Sequence, residues 1–233
     1  MWENESKGES QMKSQLFEQD KMEKEGVAGS FLLQNRHTLK VELNGEVYAK
    51  QGAMAAYQGN IEFSFHGGGV RRMLKKVISG ENVQLMKVSG RGEVFFSDFG
   101  AEVQIVQLEN DSLTINTSNL LAFESTLQWD IKMVKPGMQM LAAGLSNVTV
   151  SGTGLVAISS FGTPFVLQVN EPTYVDVQAA LAWSSSLQTD IKSTFKVGSL
   201  IGRGSGESFQ MLFTGDGFVV VQPSEAPRLP TRK

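Results

Sequence analysis

The chain has 233 residues, 41% of them hydrophobic and 19% charged, with 24 glycines, no cysteine and two histidines, His37 and His66. Such a length buries one sizeable core or two small ones, and the missing cysteines exclude disulfides, thiol catalysis, thiolate zinc sites and iron–sulfur clusters. The net charge of −3 belongs to residues 1–26, which hold seven acids and four lysines; the remainder balances 17 acids against 17 bases, which argues against nucleic acid as a partner.

Residues 1–26 are expected to form a polar, mobile lead. They open Met1-Trp2-Glu3-Asn4-Glu5, with neither the basic n-region and apolar h-region of a secretory signal nor an arginine-rich transit pattern. No apolar run of about 18 residues follows anywhere, so the expected location is cytoplasmic. The folded body is expected over 27–225, and 226–233 is a proline-containing tail.

Along the body, short runs that alternate or are rich in β-branched and aromatic residues lie between Gly, Asn, Asp and Pro clusters, which predicts short antiparallel strands. FLLQ (31–34) and LKVELN (39–44) come first, then Ala56-Tyr57 and NIEF from Asn60. After His66-Gly67-Gly68-Gly69, apolar Val70, Met73, Leu74, Val77 and Ile78 fall at helical spacing and the intervening residues are Arg71, Arg72, Lys75 and Lys76. This predicts one short helix over 70–78.

From residue 89 the chain repeats itself. SGRGEVFFSDFG (89–100) matches SGTGLVAISSFG (151–162), and TGDGFVVVQ (214–222) is a third version. Asn44, Asn110 and Asn170 each end a similar strand, and an alanine–aromatic pair recurs at 56–57, 122–123 and 182–183. Landmarks that share one interval predict a triplicated unit, with units at about 31–93, 94–155 and 156–225. FLLQ makes the post-glycine strand occur four times, so the last strand is expected either to pair near the first or to complete the third unit, in a pseudo-threefold β assembly that protects its edges.

The pairs Gly90/Gly92, Gly152/Gly154 and Gly215/Gly217 are each expected to open a strand, where they would supply positive φ or close backbone approach. A phosphate-cradling loop would need a helix N-terminus beside it, and here a strand follows.

Several of these segments together resemble a known family: GEVYAKQGAMAAYQGNIEF (45–63), RRMLKKVISGE (71–81), SGRGEVF (89–95), LENDSLTI (108–115), IGRGSGESFQ (201–210) and GDGFVVVQPSE (215–225). They are similar to the family named for altered inheritance of mitochondria, number twenty-four, in its bacterial, actinobacterial form. The resemblance covers about residues 31–225. It implies tandem β-sandwich repeats like those of the tryptophan RNA-binding attenuation protein, in ring-like or pseudo-threefold assemblies. The family's mitochondrial members are associated with the inner membrane and its cristae-organising complex. The resemblance carries no tryptophan or RNA ligand motif onto particular residues here.

Candidate chemistry is sparse. His66 could serve as a metal ligand or base, although a lone loop histidine is ordinarily solvated. Asp130 and Asp190 recur in Gln-x-Asp-Ile-Lys, with Glu62 near the matching place in the first unit. Three acids could hold a cation through oxygen, or they could be the solvated face of alternating strands, paired to Lys132 and Lys192. Gly202-Arg203-Gly204-Ser205-Gly206 suits an anion or a repeated connector. The cations Arg71, Arg72, Lys75 and Lys76 are either a solvated face or a patch for anionic lipid or an acidic partner. No catalytic, metal or cofactor residue is therefore assigned. The expectation is a non-enzymatic, homo-oligomeric scaffold or binding module, with a small-ligand or metal protein as the alternative.

Overall fold

The computed structural model describes residues 18–19, 21–65, 85–133, 146–193 and 209–223, and every regular element among them is a β-strand. The body is all-β and antiparallel throughout its described pairings. The helix expected over 70–78, His66 and the Gly202–Gly206 loop lie outside the described residues.

The first four strands are β1 (Phe31–Asn35), β2 (Thr38–Lys50), β3 (Met54–Phe65) and β4 (Leu85–Phe96). Next come β5 (Glu102–Asn116), β6 (Leu120–Glu124), β7 (Gln128–Met133) and β8 (Ser146–Ser160). The last six are β9 (Phe165–Val169), β10 (Thr173–Asp176), β11 (Ala180–Ser184), β12 (Gln188–Ser193), β13 (Phe209–Thr214) and β14 (Gly217–Val221). Eleven strands form one sheet whose main path runs β3-β4-β2-β6-β8-β5-β11-β14-β9, and β10-β13-β12 form a second.

Alternation explains which face each strand buries. In β2, Leu39, Val41, Leu43, Val47 and Ala49 all point inward and are buried, the two-residue period of a pleated strand. Each fully buried Val, Leu, Ile or Phe contributes roughly 1.5–3 kcal/mol. Burial divides into three clusters: one on β1, β2 and β4, one on β5, β6 and β8, and one on β9 to β11, β13 and β14.

The strand carrying the recurrent asparagine differs in continuity from cluster to cluster. Asn44 sits inside the unbroken β2. In β5 the pairing with β8 shifts between Leu108 and Asp111, and Asn110 takes φ 53° there, a bulge that suits asparagine's tolerance of the left-handed region. After Asn170 the chain breaks into β9 and β10 around Pro172, which cannot donate a ladder hydrogen bond. The alternating segment behaves oppositely: β3 is continuous, whereas its counterparts are split by turns closed by Leu127 N–H to Glu124 O at 3.1 Å and Leu187 N–H to Ser184 O at 3.1 Å.

One expectation needs correction. Gly90/Gly92 and Gly152/Gly154 do not open strands; they lie within the long β4 and β8, because ladder pairing continues on both sides of them. Only Gly217 begins one, β14. The early strand FLLQ forms β1 and hairpins onto β2, with Phe31 opposite Val41. The last strand, β14, completes its own cluster by pairing with β9 and β11.

Candidate functional site

The clusters are joined through the recurrent alanine–aromatic pairs. β6 lies against β2 with Val47 opposite Glu124, Tyr48 opposite Phe123 and Ala49 opposite Ala122. β11 lies against β5 with Leu113 opposite Ser184, Thr114 opposite Trp183 and Ile115 opposite Ala182. Counting from the recurrent asparagine, Tyr48 and Thr114 each stand four residues on, so the two seams share one register. At both, the alanine and the aromatic side chain are buried, Phe123 at 0% and Trp183 at 3% exposure.

Each seam carries a core across itself. Leu121 and Ala122 belong to the β1/β2/β4 cluster, and Leu181 and Ala182 to the β5/β6/β8 cluster. The first seam is aromatic: Tyr48 stacks on Phe123 with ring centroids 5.2 Å apart, and Trp129 lies 6.0 Å from Tyr48 and 6.3 Å from Phe123. The second is polar on the β5 side, where Thr114 Oγ1 hydrogen-bonds Thr149 Oγ1 at 3.1 Å and Ser185 Oγ at 2.9 Å. Trp183 meets Phe213 edge-on at 5.4 Å. Aromatic pairs of this kind add about 0.5–1.5 kcal/mol beyond burial.

The third set of the same residues has no strand against it among the described residues. β3 carries Ala56-Tyr57 and pairs only with β4; β10 carries Tyr174, four residues after Asn170, and pairs only with β13. Ala56 is exposed, and Tyr57 and Tyr174 are 48% and 54% exposed. Phe165, Val166 and Leu167 of β9 are exposed beside β10 along the chain.

A second feature was not legible from alternation. Lys40 is 1% exposed, with its ammonium 2.5 Å from Glu23, 2.7 Å from Glu42 and 3.0 Å from Glu93. It also donates to the Lys24 carbonyl at 2.7 Å and stands 5.7 Å from the centre of the Phe95 ring. Residues 22–24 run beside β1, where Gln34 donates to the Met22 carbonyl and Lys24 Nζ to the Leu33 carbonyl. Burial pulls the Lys40 pKa down, but the carboxylates outweigh it and hold the ammonium above its ordinary value. Glu93, hydrogen-bonded to Glu23, is raised, while Glu23 is lowered by Glu93 and then by Lys40. The contact between the two carboxyls therefore moves them in opposite directions.

The glycines act on the backbone. Gly90 and Gly92 take φ of 131° and 148°, and a Cβ on either would strike the carbonyl oxygen of Asn60 or Gln58 on β3. Gly152, Gly154 and Gly215 also have positive φ, and a Cβ on Gly154 would press on Glu124 and Thr126. Gly217 packs on the Ser184 side chain. Asn44 accepts from Arg91, the Asn110 N–H donates to Thr153 Oγ1 at 3.0 Å, and Asn170 lies in the bend between β9 and β10.

Asp130 on β7 and Asp190 on β12 lie in different sheets, both exposed, and Glu62 is exposed on β3. Lys192 donates to Asp190 at 2.7 Å. His37 Nδ1 lies 3.3 Å from the Ala101 carbonyl. Among the described residues no cluster of three or more His, Asp or Glu could hold a metal ion. The cations Arg71, Arg72, Lys75 and Lys76 fall outside the described residues. Among the described residues no helix is long and apolar enough to cross a membrane.

The strand pairings define an all-β protein of antiparallel sheets. The chain belongs to the AIM24 family, described as mitochondrial biogenesis AIM24, whose model matches residues 31–224. It is 22% identical over 198 residues to an uncharacterised protein of Streptococcus pyogenes serotype M6, covering 79% of each chain. Its fold is similar to a crystal structure of another Streptococcus pyogenes protein, with a TM-score of 0.68 and 22% identity, over 84% of this chain and 93% of that one.

Proposed function

We propose that the chain is a non-enzymatic, cytoplasmic β-repeat scaffold. Three equivalent units, similar to those of the tryptophan RNA-binding attenuation protein, are strung through one kind of seam in a pseudo-threefold plan. The single observation that supports this most is the shared register of the two seams, Tyr48 opposite Phe123 and Thr114 opposite Trp183. A frame built this way presents strand edges and loops at regular intervals, which suits holding partners together.

In this reading the cations Arg71, Arg72, Lys75 and Lys76 contact an anionic membrane surface or an acidic protein, each worth about 1 kcal/mol near anionic lipid. Sedimentation with vesicles of neutral lipid and of neutral plus anionic lipid tests the membrane version. The chain is expected to sediment with the anionic vesicles only, and changing all four cations to Glu is expected to abolish it. Unchanged sedimentation of that variant refutes membrane contact through these residues.

A second reading, a small-ligand site at a unit junction, has one observation in its favour. A cleft of about 310 Å³ beside the first seam is lined by Glu42, Asn44 and Glu46 on one side and Glu124, Ser125 and Thr126 on the other. Its acids suit an amine or another organic cation. A thermal-shift screen with divalent ions, tryptophan and nucleotides tests it, and a flat response across the set removes it.

A further inference from the structure

The unmade seam identifies an interaction surface and its partner. If Tyr48 and Thr114 define one half of a seam, the third such half is β10, at Tyr174. If Phe123 and Trp183 define the other half, the third is β3, at Tyr57. Register then fixes what the completed seam would be: Thr173 opposite Gln58, Tyr174 opposite Tyr57, and Val175 opposite Ala56.

Three observations converge on these two edges. First, the alanine–aromatic pair is buried in both formed seams and exposed in β3, although the residue types are alike. Second, the cluster of β9 to β11, β13 and β14 holds only residues of its own strands and turns, whereas the first also holds Val103, Leu121, Ala122 and Ala157 and the second Leu85, Leu181 and Ala182. The missing contribution corresponds by spacing to Ala55/Ala56. Third, β3 is a twelve-residue strand with one described partner, at one end of the strand path, while β9 ends that path and leads into β10. Long open edges with apolar side chains recruit another strand.

We propose that β10 of one copy of this chain adds to β3 of a second copy in that register, with Tyr174 against the partner's Tyr57. Each chain carries one of each half, so the contact is heterologous and propagates head to tail until a ring closes. It uses the geometry that the chain already builds twice within itself. The inference rests on the reading of three equivalent units.

The chain has no cysteine, so single cysteines report position without background. Tyr57→Cys and Tyr174→Cys chains are prepared separately, mixed, and treated with a short bis-maleimide linker. A Glu46→Cys/Ser125→Cys chain, one step along the formed seam from Val47 opposite Glu124 and lining its open cleft, serves as the control and is expected to link within itself. The mixture is expected to give a two-chain product at least five-fold more abundant than either single variant alone. No two-chain product in the mixture overturns the proposal, as does equal product from either variant alone, which would mean that like edges meet. Linking of a Tyr57→Cys/Tyr174→Cys chain only within itself overturns it in favour of closure inside one chain. If the control also fails to link while circular dichroism shows folded β structure, the three-unit reading itself falls.

Discussion

Tyr48 of β2 stacks on Phe123 of β6 with 5.2 Å between ring centroids, across a strand pairing that joins two core clusters. The ring of Phe123 is buried, yet it belongs to a strand whose own long partner is β8. One side chain thus packs its own cluster and fixes the neighbour's register. Its counterparts, Trp183 and Tyr57, allow the seam to be tested by comparison.

Phe123→Ala is expected to cost about 3–5 kcal/mol, the usual range for removing a buried aromatic ring. Tyr57→Ala, at the matching but exposed place, should change the stability of the dilute single chain by under about 0.5 kcal/mol. Urea unfolding of both variants checks the contrast. Equal losses would mean that the exposed edge is already packed.

Lys40→Met should cost about 3–5 kcal/mol at neutral pH, because it leaves Glu23, Glu42 and Glu93 facing one another without their cation. The loss should shrink in acid, as Glu23 and Glu93 take up protons. Chemical denaturation at neutral and acidic pH measures it, and a pH-independent loss would point to packing alone.

The opposed shifts of Glu93 and Glu23 give a signed pH dependence. Glu93 is raised in the folded chain, so its contribution is full below the ordinary glutamate value of 4.5 and is lost as pH rises through the folded value. Glu23 is lowered, so its contribution is present above the ordinary value and is lost as pH falls through its own folded value. Glu93→Gln, which stays neutral, should therefore lose less stability than the native chain as pH rises from below 4.5. A parallel pair of stability curves would refute the raised Glu93.

Gly92→Ala should be markedly worse than Gly45→Ala. Both have positive φ, 148° and 128°, but a Cβ at 45 meets open space and one at 92 strikes the Gln58 carbonyl. Gly45→Ala is expected to cost about 1–3 kcal/mol from conformation alone. Thermal melting ranks the two, and equal shifts would contradict close approach of β3 and β4.

Strand content was legible because alternation in segments such as LKVELN is a local property. The alanine–aromatic pairs were visible as repeats, but their work as seams was not, since burial at 122–123 and 182–183 comes from strands far away in sequence. Gly90/Gly92 looked like strand openings because glycine usually punctuates; positive φ within a continuing ladder is a tertiary requirement. Lys40 was missed for a similar reason: alternation places it outward, and only the chain at 22–24 covers it. Tyr174 could have been found by counting four residues on from each recurrent asparagine.

Light-scattering mass across a concentration series tests the unmade seam most directly. The account predicts masses above the 25.4 kDa of one chain, approaching whole multiples of it as concentration rises. It also predicts return to the single-chain mass in Tyr174→Lys, with the circular dichroism of the native fold retained. A native chain that stays at 25.4 kDa at every concentration would contradict it.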